Sequence, residues 1–302
     1  MRLKILGSAA GGGFPQWNCH CSNCQNVRVK SITTLSRTQS SIAISENSKK
    51  WILVNASPDI RKQLEDFHEA QQTNRLRDSG IWAIILTDSQ IDHVAGLLSL
   101  REAEKLIIYC TEVVREELTY HLPLFEILKN YCVIECNRIH DSHVFTVQGF
   151  ENLRLTPIDL PGKSPPYSPY RHTPKRGANT ALMILDTLTQ KTIFYAPAIA
   201  QWDEPLFQRM NNADCVLVDG TFWHDDEMSR TGINNKLAAE MGHCALAGEE
   251  GLLSHLNALQ KPRKIVIHVN NTNPILNTTS SEYAQLNHAN VEIAYDGMDI
   301  LL

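Results

Sequence analysis

Thr87-Asp88-Ser89-Gln90-Ile91-Asp92-His93 follows directly on the apolar run Ile84-Ile85-Leu86 and leads into residues 94–100, which read as helical. Polar side chains at the C-terminal end of a buried strand, with a helix just beyond, sit where α/β proteins commonly place their chemistry. Asp92 and His93 are adjacent, and both can face a metal ion from such a turn. An Asp at a helix start is also often only a cap, so the segment alone leaves both readings open.

Outward from this turn, strand-like runs rich in β-branched residues occupy residues 2–6, 41–45, 51–54 and 81–87, with helical periodicity over 58–70 and Pro58 suited to a first helical turn. The second half repeats the rhythm with strands expected at 153–158, 181–185, 192–195, 215–218, 265–268 and 291–294, and helices near 201–211 and 246–259. Early strands in meander order and later strands separated by helices predict a layered α/β sandwich. The expected organisation is one domain over 1–302, made of two halves at about 1–150 and 151–302. The long irregular stretch at 160–177 contains five prolines with Arg171 and His172, and loops of that length in compact domains are usually functional or mobile.

Composition narrows the class. With 302 residues and 43% hydrophobic content the chain can bury a large core. Lys and Arg number 28 against 33 Asp and Glu, so no basic surplus exists to neutralise nucleic-acid phosphates. No apolar run approaches the roughly eighteen residues of a membrane span. The opening Met1-Arg2-Leu3-Lys4-Ile5-Leu6-Gly7 is too short for a signal peptide and ends in a glycine loop, so a soluble cytoplasmic protein is expected. In that reducing compartment the eight cysteines read as metal ligands and buried thiols.

Cys19-His20-Cys21-Ser22-Asn23-Cys24 places three thiols where one short loop can wrap a tetrahedral zinc. The fourth ligand is open among His20, a distant cysteine such as Cys244, and a residue supplied by the fold. Cys110, Cys132, Cys136, Cys215 and Cys244 lie mostly in apolar surroundings and read as core.

The segment from Thr87 resembles the metallo-β-lactamase signature Thr-His-X-His-X-Asp-His, with Asp88 and Gln90 where the first two histidines would stand and Asp92 and His93 matching. Asp219 and His268, each at a strand end, follow in the expected order. The cysteine knot, His268 and Tyr295-Asp296-Gly297-Met298 resemble the cyclic phosphodiesterase branch of that superfamily. There a histidine three residues after the last strand histidine completes the knot, and Asn271 holds that place here. Ala10-Gly11-Gly12-Gly13-Phe14-Pro15-Gln16-Trp17-Asn18-Cys19, Asn55-Ala56-Ser57-Pro58-Asp59-Ile60-Arg61 and Ile267-His268-Val269-Asn270-Asn271-Thr272-Asn273-Pro274 together resemble the coenzyme PQQ synthesis protein B family, end to end.

The resemblance implies a metallo-β-lactamase fold, a four-layer αββα sandwich, and a structural Zn2+ on Cys19, Cys21, Cys24 and Asn271. Loss of two signature histidines disables a two-metal hydrolase. Asp92, His93 and His268 remain, the ligand count of a facial triad for Fe2+. The activity implied is iron- and dioxygen-dependent hydroxylation of the tyrosine ring of a Glu-Tyr dipeptide, on the way to pyrroloquinoline quinone (PQQ). The alternative is a non-catalytic carrier that helps move PQQ or a precursor toward the periplasm. On the first reading Asp219 bridges or orients, and His243 and His172 transfer protons or touch ligand. Asp88 and Gln90 contact substrate or metal-bound water, and Arg61 and Arg171 pair with substrate carboxylates. The partners expected are this small substrate and dioxygen; the oligomeric state is left open, a homodimer included.

Overall fold

The computed structural model describes residues 1–31, 34–72 and 76–302. Its core strands alternate between two apolar environments, which is what period-2 side-chain geometry requires of a strand covered on both faces. Ile42, Ile44, Ile52, Val54, Ala83 and Ile85 point into one central cluster, which also takes Leu182, Ile184, Ile193, Leu217, Ile265 and Ile267 from the second half. Their neighbours Ala43, Trp51, Leu53 and Ile84 face outward into a cluster under helices of the first half. Phe194, Val216, Val218 and Val266 do the same in the second half. Two sheets thus pack face to face, each with helices on its outer surface, and the αββα sandwich is the fold observed.

The first sheet runs β13-β1-β2-β3-β4-β5-β6 and the second β12-β11-β10-β9-β8-β7. The first contains β1 (Arg2–Gly7), β2 (Ser41–Ser45), β3 (Trp51–Val54), β4 (Ile81–Ile85), β5 (Lys105–Cys110) and β6 (Val133–Arg138), closed by β13 (Asp299–Leu301) from the far end of the chain. The second contains β7 (Leu153–Asp159), β8 (Thr180–Asp186), β9 (Lys191–Ala196), β10 (Cys215–Asp219), β11 (Arg263–Ile267) and β12 (Val291–Ile293). Each half begins antiparallel and turns parallel, at β3–β4 and at β9–β10.

Several expected bounds shift. The strand expected over 81–87 ends at Ile85, because Thr87 and Asp88 leave the ladder to bond across to Asn179 and Thr180 of the second sheet. Pro58 lies outside the helix it was expected to open; α1 (Ser22–Arg28) is followed by α2 (Ile60–Asp66). Residues 94–100 are largely a 3₁₀ turn, Ala95–Leu100, continuing α3 (Ile91–Val94). The helix expected over 246–259 forms only at Leu252–Ala258, after a turn at Gly248 and Gly251.

Candidate metal centre and its cleft

The signature turn is held by a clamp of backbone and amide groups. Asn55, at φ 63°, accepts from Thr87 N at 3.0 Å through Oδ1 and donates to Thr87 Oγ1 at 2.9 Å through Nδ2. Ala56 N donates to His93 O at 2.7 Å, and Gly96 N donates back to Ala56 O at 2.9 Å. Gly96 is required here, since a Cβ would lie 2.0 Å from Ser57 O. The Asn-Ala-Ser-Pro block therefore locks the start of α3, from which Asp92 and His93 project.

On the opposite wall β11 stops at Ile267, and His268 takes φ 62°, a left-handed conformation rare for a non-glycine residue. Its Nε2 lies 3.2 Å from Asp92 Oδ2, and His93 Nε2 lies 4.0 Å from the same oxygen. One ligand atom from each of Asp92, His93 and His268 falls within 4.8 Å of the others. His93 Nε2 is buried with no hydrogen-bond partner. Its Nδ1 must carry a proton, because it sits 2.7 Å from Asp88 Oδ2 and a carboxylate only accepts. A buried imidazole with one nitrogen fixed by a carboxylate and the other left bare fits a metal ligand supported from behind. Burial opposes a charge on His93, but the carboxylates of Asp88 and Asp92 outweigh it and hold its pKa up to about 9. Burial likewise opposes the Asp92 carboxylate, yet His93 and His268 keep its pKa below the ordinary range.

Asp219 collects four donors: Thr221 N and Thr221 Oγ1 on Oδ1, at 3.0 and 2.6 Å, and Ile199 N and His243 Nδ1 on Oδ2, at 2.8 and 2.7 Å. One ligand atom from each of Asp219, His243 and His268 also falls within 4.8 Å of the others, so this carboxylate both orients His243 and lies where an ion could be shared with His268. The Thr221 hydroxyl has one proton for two acceptors, Asp219 Oδ1 at 2.6 Å and His268 O at 2.9 Å, and with it on either one its oxygen accepts from His268 Nδ1 at 2.9 Å. Burial works against protonation of His243, but Asp219 raises its pKa. His243 stacks on His268 with centroids 5.4 Å apart.

A cysteine cluster lies on the segment after β1 and in the first turn of α1. One sulfur from each of Cys19, Cys21 and Cys24 falls within 4.8 Å of the others. The Asn271 amide caps them, with Nδ2 at 3.1, 3.5 and 3.4 Å from the three sulfurs. Amide O and N are interchangeable by a flip, which would turn Oδ1 onto a cation held by the thiolates. His20 is exposed and Cys244 is outside the cluster, whereas the Asn271 side chain reaches all three sulfurs. Asn23 Nδ2 ties the loop down on Asn271 O and Asn273 O at 3.1 and 2.9 Å. All eight cysteines are free.

The cleft over the Asp-His-His group is a cavity of about 250 Å³ whose lining includes Gly11, Asp88, Gln90, Lys163, Arg171, Asn179, Phe222 and His243. Arg61 is not part of it. Its side chain is 81% exposed and pairs with Glu65 one helical turn on, which corrects its expected place at the substrate. His172 is also exposed and outside the lining. Asp88 lines the cavity, and both its oxygens lie within hydrogen-bond distance of His93 Nδ1, at 2.9 and 2.7 Å. Gln90 Nε2 is used by Lys163 O at 3.1 Å. Thr221, Lys163 and Asn179 were not singled out from sequence; Thr221, two residues beyond Asp219 at a strand end, carried the only usable signal.

Residues 50–269 match the beta-lactamase superfamily domain. The chain is 52% identical to coenzyme PQQ synthesis protein B of Acinetobacter baumannii (strain AYE) and 48% identical to that of Methylococcus capsulatus, in each case over 100% of both chains. Among solved structures it is similar to Zn(2+)-bound PqqB from Methylobacterium extorquens, at 35% identity and TM-score 0.93 with full coverage of both. A diphosphatase of the PhnP family, at 16% identity and TM-score 0.69, shares the fold.

Proposed function

The chain belongs to the coenzyme PQQ synthesis protein B family and acts in PQQ biosynthesis, and within that role we propose that it is an iron- and dioxygen-dependent hydroxylase of the tyrosine ring in a Glu-Tyr dipeptide. The observation that carries this reading is the bare, buried Nε2 of His93 beside Asp92 and His268, in a cleft where Asp88 and Gln90 are turned to other partners. One carboxylate and two imidazoles suit a single ferrous ion, which supplies dioxygen activation and keeps positions open for dioxygen and substrate.

The chain's own residues do the rest. Asp88 fixes the proton on His93 Nδ1, and Thr221 fixes it on His268 Nδ1, so both Nε2 lone pairs would be free to hold an ion together with Asp92. His243 is held through Nδ1 by Asp219, which leaves Nε2 as the atom that gives or takes a proton at the substrate phenol. Cys19, Cys21, Cys24 and Asn271 hold the structural zinc. The chemistry takes place in the cytoplasm, where these thiols stay reduced.

The test is anaerobic reconstitution with ferrous iron, then exposure to dioxygen, ascorbate and Glu-Tyr. The expected result is a dipeptide heavier by one oxygen on its ring, lost in His93→Ala. No hydroxylated product together with tight binding of finished PQQ would establish the carrier instead, a reading that the loss of the two signature histidines favours.

A further inference from the structure

Cations in a folded protein normally find carboxylates, so a cleft whose cations have none is built for an anion that arrives from outside. Lys163 and Arg171, both half-buried on the proline-rich stretch, line the cavity above the Asp-His-His group. Neither forms an ion pair among the described residues. Lys163 Nζ donates only to Glu240 O at 2.5 Å, and Arg171 donates only through one terminal nitrogen, to Ser164 O at 2.7 Å. By contrast Arg176, on the same stretch but outside this cavity, is engaged by both Asp141 and Asp159.

The stretch is not free to carry these charges away. Glu117, fully buried in a π-helical turn, accepts from Ser89 Oγ of the signature turn and from Ser168 Oγ of the proline-rich stretch, each at 2.5 Å. Tyr167 OH donates to Ser89 O, and Gln90 Nε2 donates to Lys163 O. The stretch that carries the two cations is therefore anchored to the signature turn before any ligand binds, which lowers the ordering cost of binding. Asn179, nine-tenths buried in the cavity wall, has its Oδ1 without a partner and so offers an acceptor for a donor on the same ligand.

We propose that Lys163 and Arg171 form a specificity subsite that recognises a ligand carrying two carboxylates, one per cation. This rests on the dipeptide reading above, in which Glu-Tyr brings a side-chain and a C-terminal carboxylate. Neither residue touches the reacting ring; they set which molecule is held.

The experiment is calorimetric titration of the anaerobic, metal-loaded protein with Glu-Tyr, its C-terminal amide and Gln-Tyr. Wild type binds Glu-Tyr at least tenfold more tightly than either neutralised peptide. Lys163→Met and Arg171→Met each weaken Glu-Tyr at least tenfold, and each becomes indifferent to the loss of one carboxylate while still sensing the other. Lys163→Arg restores binding, which separates a charge effect from misfolding. Variants that bind like wild type, losses that simply add to those of the peptides, or wild type that binds none of the three would overturn the subsite. If the charge pattern appears without hydroxylation, the subsite stands and the hydroxylase falls. Hydroxylation without the charge pattern removes the subsite alone.

Discussion

Asp88 shows how one residue changes role without leaving the site. In the superfamily signature its position belongs to a histidine, and from sequence it is expected to contact substrate or metal-bound water. The fold instead gives both its oxygens to His93 Nδ1, at 2.9 and 2.7 Å, with Thr87 Oγ1 adding a donor at 3.0 Å. Asp88→Asn keeps the size but weakens the acceptor and permits the wrong imidazole tautomer, so cleft metal affinity should fall about ten- to a hundredfold. Metal-competition titration reads this directly, and an unchanged affinity would mean His93 needs no support. Asp92 and His93 were legible because adjacent ligands at a strand end carry a sequence pattern. Arg171 was named from sequence but Lys163 beside the same cavity was not, since the absence of a carboxylate neighbour is a property of three-dimensional packing.

At the scale of the element, the loop that follows β11 serves two centres at once: His268 faces the cleft and Asn271, three residues on, faces the cysteines. Asn273 Nδ2 donates to Gly220 O at 3.0 Å, next to the Thr221 that orients His268, so the loop is braced at both ends. Metal lost from the cysteine cluster should therefore loosen His268, whereas metal lost from the cleft leaves the cysteines untouched. Cys21→Ser is expected to release zinc, lower thermal stability and also weaken cleft metal binding; His93→Ala should empty the cleft and retain the zinc. Metal analysis of both variants decides it, and a Cys21→Ser protein with full cleft affinity would show the loop to be rigid without zinc. Elements were legible where burial on both faces made apolar runs, as in β3 and β10. The edge strand β6 alternates exposed and half-buried residues, and β13 spans only Asp299–Leu301, so neither carries that signal.

Across the whole molecule, the ligand set straddles the two sheets: Asp92 and His93 follow β4 of the first, His268 follows β11 of the second. Backbone seams join the sheets at this end, where Ala9 pairs with Val269 and Asp88 with Asn179, and Thr180 N and Oγ1 both donate to Thr87 O at 2.9 Å. An ion held by residues from both sides binds the folded chain and not the unfolded one, so it must stabilise the fold by mass action. At a hundredfold excess over Kd the gain is about 2.7 kcal/mol, or roughly 4 °C in Tm for a chain of this length. The pH dependence follows from His93. Its pKa, raised to about 9 from 6.5, stabilises the metal-free fold fully below pH 6.5, and this contribution is lost as pH rises through about 9. Metal needs the neutral imidazole and must displace that proton, so between pH 6 and 8 its affinity should rise by up to about tenfold per unit. Anaerobic thermal melts with and without ferrous iron should therefore diverge with pH, the metal-free Tm falling as the metal-induced shift grows, and His93→Ala should abolish the divergence. Parallel melts across that range would mean that the ion displaces no proton from His93 and is held elsewhere.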